Sequence, residues 1–192
     1  MLYPKRYALH SREFLAIHEA GHVVVGRRFD WPLIGSYLLE PGDDGAARTD
    51  WDWPEGFLPD ATQCGLVAVA GVVATAIWDG ASTPNEVWWP HPAMPTDEAQ
   101  HLLAAHIKFV EERDKLTHPY PPEMLKVARA LDQNGEATAM PHEWVADFSK
   151  ECLRQSFETI AEHWPAVQRI ARILATVSRI EAETVGSVIR GQ

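Results

Sequence analysis

Apolar residues recur with a helical period near the start of the chain. Phe14, Ile17, Gly21, Val24 and Val25 follow Ser11 at intervals that line one face of an α-helix. Ser11 is a favoured N-cap and Trp31-Pro32 a stop, so the pattern predicts a helix from about Arg12 to Arg28. The period then changes. Two apolar or aromatic runs, Leu33 to Leu39 and Ala46 to Trp53, flank Pro41-Gly42-Asp43-Asp44-Gly45 and read as a short β-hairpin with a loose loop. Next comes an apolar stretch from about Ala61 to Trp78, whose Ala and Gly content suits close packing against another helix.

Gly80, Pro84, Pro90, Pro92 and Pro95 mark residues 79–95 as loop. Thr96 opens a helix reaching about Lys115, with Asp97 and Glu98 in its electropositive first turn. After the break at His118-Pro119-Tyr120-Pro121-Pro122, helices are expected over Glu123 to Gln133, Pro141 to Trp164 and Pro165 to Ser178. Val167, Ile170, Ile173, Leu174 and Val177 share one side of the last of these. Thr184 to Arg190 adds a final helical turn or two. No repeat, low-complexity tract or linker divides the 192 residues, so the chain reads as one domain, 1–192, mainly α with one small sheet.

Composition narrows the functional classes. The formal charge of −10 repels phosphate, which argues against a sequence-independent nucleic-acid grip or adhesion to an anionic membrane. The most apolar run, Cys64 to Trp78, is about 15 residues, short of the ~20 that span a bilayer, so no membrane insertion is expected. Met1 to Ser11 lacks the apolar core of a signal peptide. Two cysteines, Cys64 and Cys152, exclude a disulfide scaffold and a cysteine-based zinc site. They suit a reducing compartment, and a cytoplasmic location is the expectation.

The chemistry sits on the first helix. His18-Glu19-Ala20-Gly21-His22 matches His-Glu-x-x-His. Residues four apart lie one above the other on a helix, so two neutral imidazoles can reach one cation. Glu19 projects about 100° from His18, beside a metal rather than on it, where it can take a proton from a metal-bound water. Zinc suits such a site, with three protein ligands and one open position. The pattern is short enough to arise by chance. Here it lies on a strongly apolar helix, where unpartnered imidazoles are costly to bury. Gly21 costs about 1 kcal/mol against alanine there, which implies a close contact that needs it.

A third ligand must come from elsewhere, because Arg28 stands where the extended motif has a histidine. Spacing leaves Asp79, Asp97, Glu98 and His101 open. Glu98 and His101 form Glu-x-x-His, a spacing that in a di-iron bundle needs further carboxylates from facing helices. Gly21 to Arg28 mimics phosphate-loop glycine spacing, yet has Arg27-Arg28 in place of Lys-Ser/Thr and lies within a helix, so it is not a nucleotide site.

The segment Ile17-His18-Glu19-Ala20-Gly21-His22-Val23-Val24-Val25-Gly26 resembles the active-site helix of FtsH-type AAA zinc proteases. The order that follows is similar too: a β segment over Leu33 to Trp53, an apolar helix over Ala61 to Trp78, then Thr96-Asp97-Glu98-Ala99. Ile160-Ala161 through Ile180-Glu181-Ala182-Glu183-Thr184-Val185-Gly186 is similar to the closing helices of that peptidase domain. The match is tight only at the first motif. The family's usual Asn or Ser before the ligand aspartate is Thr96 here, and residues 115–140 follow no family pattern.

The resemblance implies a zincin-like helical peptidase fold, with zinc held by His18, His22 and Asp97 and with Glu19 as general base. It implies a zinc metalloendopeptidase acting on polypeptide substrates. The 192 residues contain no segment that resembles the family's ATPase module or membrane anchor, so a standalone peptidase-like domain acting on flexible or unfolded chains is the expectation. Two other readings stay open: a peptidase-like zinc-binding protein that no longer cleaves and acts in binding or assembly, and a helical protein whose motif is accidental. Homo-oligomerisation is open as well. Trp31, Trp51, Trp53, Trp78, Trp88 and Trp89 could line an apolar groove for peptide side chains, but core and loop packing is the favoured role. The hairpin could offer an edge strand to an extended peptide.

Overall fold

Ser11 starts the first helix as its side chain predicts, its hydroxyl accepting the Phe14 N–H at 3.2 Å. The computed structural model describes residues 11–39, 47–52, 61–87 and 142–190. In chain order these form α1 (Arg12–Arg28), β1 (Leu33–Leu38), β2 (Ala47–Trp51), α2 (Ala61–Trp78), a 3-10 turn (Pro84–Glu86), α3 (His142–Glu162), α4 (Trp164–Val177), β3 (Arg179–Glu181) and α5 (Ala182–Ile189). The molecule is mainly helical with a small antiparallel sheet, as the hydrophobic pattern predicts. The helices expected over 96–115 and 123–133, and with them Asp97, Glu98 and His101, lie outside the described residues.

Helix α1 is central. Eleven of its 17 residues are buried, more than a single face can supply. It packs against α2, α3, α4 and the sheet, so polar groups near its middle are drawn into the interior. The contact inferred from Gly21 is present. A β-carbon there would stand 2.5 Å from the Ala70 carbonyl oxygen and 2.8 Å from the Ala74 methyl. Glycine on α1 facing small residues on α2 lets the two backbones approach closely.

At the end of α1, Asp30 adopts a left-handed φ of 57° and turns the chain into β1. Trp31 is buried and meets Trp51 edge to face, with ring centroids 5.3 Å apart. Trp78 and Trp164 pack against the margin of the same core. These four tryptophans serve as packing units, while Trp53, Trp88 and Trp89 lie outside the described residues.

The sheet order is β2-β1-β3, antiparallel throughout. Leu33 pairs with Trp51 and Gly35 with Asp50, so a bulge falls at Ile34. The extra residue shifts the side-chain alternation by one. Leu33 and Ser36 are thereby both buried, and Ile34 is exposed. Strand β3 is absent from the hydrophobic pattern, where Arg179-Ile180-Glu181 is too short to show a period. It forms because Ser178 takes a left-handed φ of 63°, ends α4 and returns the chain along β1. Among the described residues no helix is long and apolar enough to cross a membrane.

Candidate metal centre on the first helix

His18 and His22 stand one helical turn apart on α1, and their rings converge. The two Nε2 atoms are 3.1 Å apart and the ring centroids 4.8 Å. Two nitrogens bound to one tetrahedral zinc at the usual ~2.0–2.1 Å stand about 3.3 Å apart, so the observed spacing fits a shared cation.

The proton inventory of His22 settles which of its nitrogens is free to accept. Its Nδ1 lies 2.7 Å from the Val67 carbonyl oxygen. A carbonyl oxygen only accepts, so Nδ1 carries the hydrogen, and a neutral ring then presents a bare lone pair at Nε2. That lone pair faces the Nε2 of His18. At 3.1 Å a hydrogen on His18 Nε2 can be donated to that lone pair, and a cation held between the rings would take the place of that hydrogen. A ring nitrogen tied to a backbone carbonyl while the other is aimed at a common point is the arrangement that orients metal-binding histidines.

One turn of α2 prepares the place for both rings. Val67 supplies the carbonyl that holds His22. Four residues on, Gly71 leaves room for His18: a β-carbon there would lie 2.5 Å from both Cε1 and Nε2 of that ring. His22 is 9% exposed, whereas His18 is only partly buried, so the pair is open to approach from the His18 side.

Glu19 is buried at 5% exposure and projects toward the sheet, where the Thr49 hydroxyl on β2 donates to its Oε2 at 2.6 Å. The two imidazoles thus converge on one side of α1 while the Glu19 carboxylate is held against the sheet.

Of the other candidate ligands, Asp79 is exposed at the end of α2. It lies eight residues past Gly71, about 12 Å along the helix. Asp97, Glu98 and His101 lie outside the described residues. Among the described residues no three His, Cys, Asp or Glu side chains gather in a group that could hold a metal ion. No protein-family model matches the chain, and no curated protein matches it either.

The Val67 carbonyl, Gly71 and Thr49 surround the motif side chains, and sequence reasoning missed all three. Gly71 left a trace, because a glycine inside an apolar helix is unfavourable without a close neighbour. Thr49 is ordinary in a strand, and a backbone carbonyl leaves no trace in sequence at all. Burial, with a smaller contribution from the nearby Glu151 charge, pushes the Cys152 thiol up to about 12.

Proposed function

We propose that this chain is a zinc-dependent metalloendopeptidase with a zincin-like, FtsH-type peptidase fold, acting on flexible or unfolded polypeptides. The observation that carries the reading is the convergence of the His18 and His22 Nε2 atoms at 3.1 Å, with His22 oriented by the Val67 carbonyl. In this reading His18 and His22 hold zinc together with Asp97. The donor set of two imidazoles and a carboxylate matches that of open catalytic zinc sites.

Zinc, when bound, supplies a Lewis acid that polarises the scissile carbonyl and makes water more acidic. Glu19 acts as the base. It takes one proton from the attacking water as the water oxygen bonds to the carbonyl carbon. It then delivers that proton to the amine nitrogen as the carbon–nitrogen bond breaks. Its Oε2 accepts a hydrogen bond from the Thr49 hydroxyl.

The test compares the wild-type chain with Glu19→Gln and Asp97→Asn, using elemental analysis and cleavage of casein. Wild type should bind one zinc per chain and cleave casein in a chelator-sensitive manner. Glu19→Gln should keep the zinc and lose cleavage, and Asp97→Asn should weaken zinc binding. Cleavage retained by Glu19→Gln would sink the mechanism. Stoichiometric zinc with no cleavage by wild type would make the chain a zinc-binding, peptidase-like protein, and no zinc would make the motif accidental.

A further inference from the structure

Thr49 is a polar residue facing inward from β2, and the reaction as described leaves its hydroxyl without a chemical part. Its Oγ1 donates to Glu19 Oε2 at 2.6 Å and lies 3.0 Å from Ser36 Oγ on β1. Ser36 is fully buried. Counting hydrogens sets the direction of the chain. The one hydroxyl hydrogen of Thr49 goes to the carboxylate, so Thr49 accepts at its oxygen and Ser36 is the donor. The alternative acceptor for Ser36, the Arg48 carbonyl, is more distant at 3.5 Å. Ser36 to Thr49 to Glu19 is therefore a one-way relay of hydrogen bonds ending on the carboxylate.

The sheet builds this relay by register. Ser36 and Thr49 are direct cross-strand partners, and the bulge at Ile34 lets Ser36 face inward along with Leu33. A slip of β2 by one residue would present Arg48 or Asp50 to Glu19 in place of Thr49. Asp50 would set one carboxylate against another.

Resting on the metallopeptidase reading above, we propose that Thr49, backed by Ser36, is a positioning residue that fixes the direction of the Glu19 carboxylate for proton transfer. It touches neither substrate nor metal. It acts by removing the rotational freedom of the base, so its loss lowers turnover without weakening substrate or zinc binding.

The experiment uses the zinc-loaded chain and the variants Thr49→Val, Thr49→Ser, Ser36→Ala and Glu19→Gln. Readouts are zinc affinity, kcat and KM on a peptide, and a metal-free crystal structure of Thr49→Val. Valine keeps the branched shape and removes the hydroxyl. Thr49→Val should bind zinc as wild type does, keep its KM, and lose kcat by about 10–100-fold, the range seen when outer-shell partners are removed. Thr49→Ser should recover most of that loss, and Ser36→Ala should show a smaller fall. In the metal-free Thr49→Val crystal the Glu19 carboxylate should leave its place while the His18–His22 pair keeps its own.

Wild-type kcat in Thr49→Val, or equal losses in Thr49→Val and Thr49→Ser, would overturn the proposal. So would an unmoved Glu19 in the metal-free crystal. If Thr49→Val does not fold, wild-type kcat in Ser36→Ala, or a loss in Thr49→Ser, would overturn it instead. Chelator-sensitive cleavage that Glu19→Gln abolishes but Thr49→Val leaves intact overturns the positioning role alone. Cleavage that Glu19→Gln leaves intact overturns the metallopeptidase reading and this proposal with it.

Discussion

A β-carbon on Gly71 would lie 2.5 Å from the Nε2 of His18, so the missing side chain on α2 is what gives the first imidazole its place. Gly71→Ala should therefore act on the site more than on the helix. Alanine improves helix propensity by about 1 kcal/mol, but forcing a methyl into a filled space costs about 1–3 kcal/mol. The ring is the softer partner and gives way. Zinc affinity should fall by about 10–100-fold, the range for a lost orienting contact, with only a small change in melting temperature. A competition titration with a chromophoric chelator, beside a thermal melt, checks both.

Gly21→Ala should show the reverse balance. Its new β-carbon would meet the Ala70 carbonyl oxygen at 2.5 Å and the Ala74 methyl at 2.8 Å. A helix backbone cannot swing aside as an imidazole can, so α1 and α2 must separate. Overpacking of about 1–3 kcal/mol outweighs the propensity gain of about 1 kcal/mol. The protein should be less stable than wild type in urea unfolding. A melting temperature at or above wild type would contradict the close contact.

Zinc should stabilise the fold through His22. A ligand at about 100 times its Kd adds about 2.7 kcal/mol to a folded state that alone binds it. At about 2–4 °C per kcal/mol for a chain of this size, that is a rise of about 5–11 °C. His22→Ala should remove the whole increment. It should also lower the metal-free stability by about 0.5–1.5 kcal/mol, for the hydrogen bond to Val67. Differential scanning calorimetry with and without zinc separates the two effects.

Cys152 should stay unmodified in the native protein. Burial raises its thiol to about 12 from an ordinary value near 9, so almost none is thiolate at pH 8. The sign of the linked stability follows. Between those two values the unfolded chain has released the proton and the folded chain has kept it. Stability from this group is complete below the unfolded value and is lost as pH rises toward the folded one. Peptide mapping after brief exposure to a thiol reagent at pH 8 should find Cys152 unlabelled unless denaturant is present.

The elements were readable where local pattern decides them. The helix predicted from about Arg12 to Arg28 is Arg12–Arg28, and that from about Ala61 to Trp78 is Ala61–Trp78. In each case periodicity, caps and breakers act within a few residues. The hairpin was readable for the same reason. Strand β3 was not, because three residues carry no period and Arg179–Glu181 is a strand only through its pairing with β1. The bulge at Ile34 is likewise a property of the pairing.

The site divides along the same line. By itself the sequence determined that two imidazoles stand one turn apart on α1 with a carboxylate beside the first, since helix geometry alone sets that spacing. Only the tertiary structure decided how those groups point. The carbonyl that orients His22 comes from Val67, 45 positions away, and the hydroxyl that holds Glu19 comes from Thr49, 30 positions away. Ring orientation and carboxylate direction depend on which groups packing brings into hydrogen-bond range, and no local period encodes that.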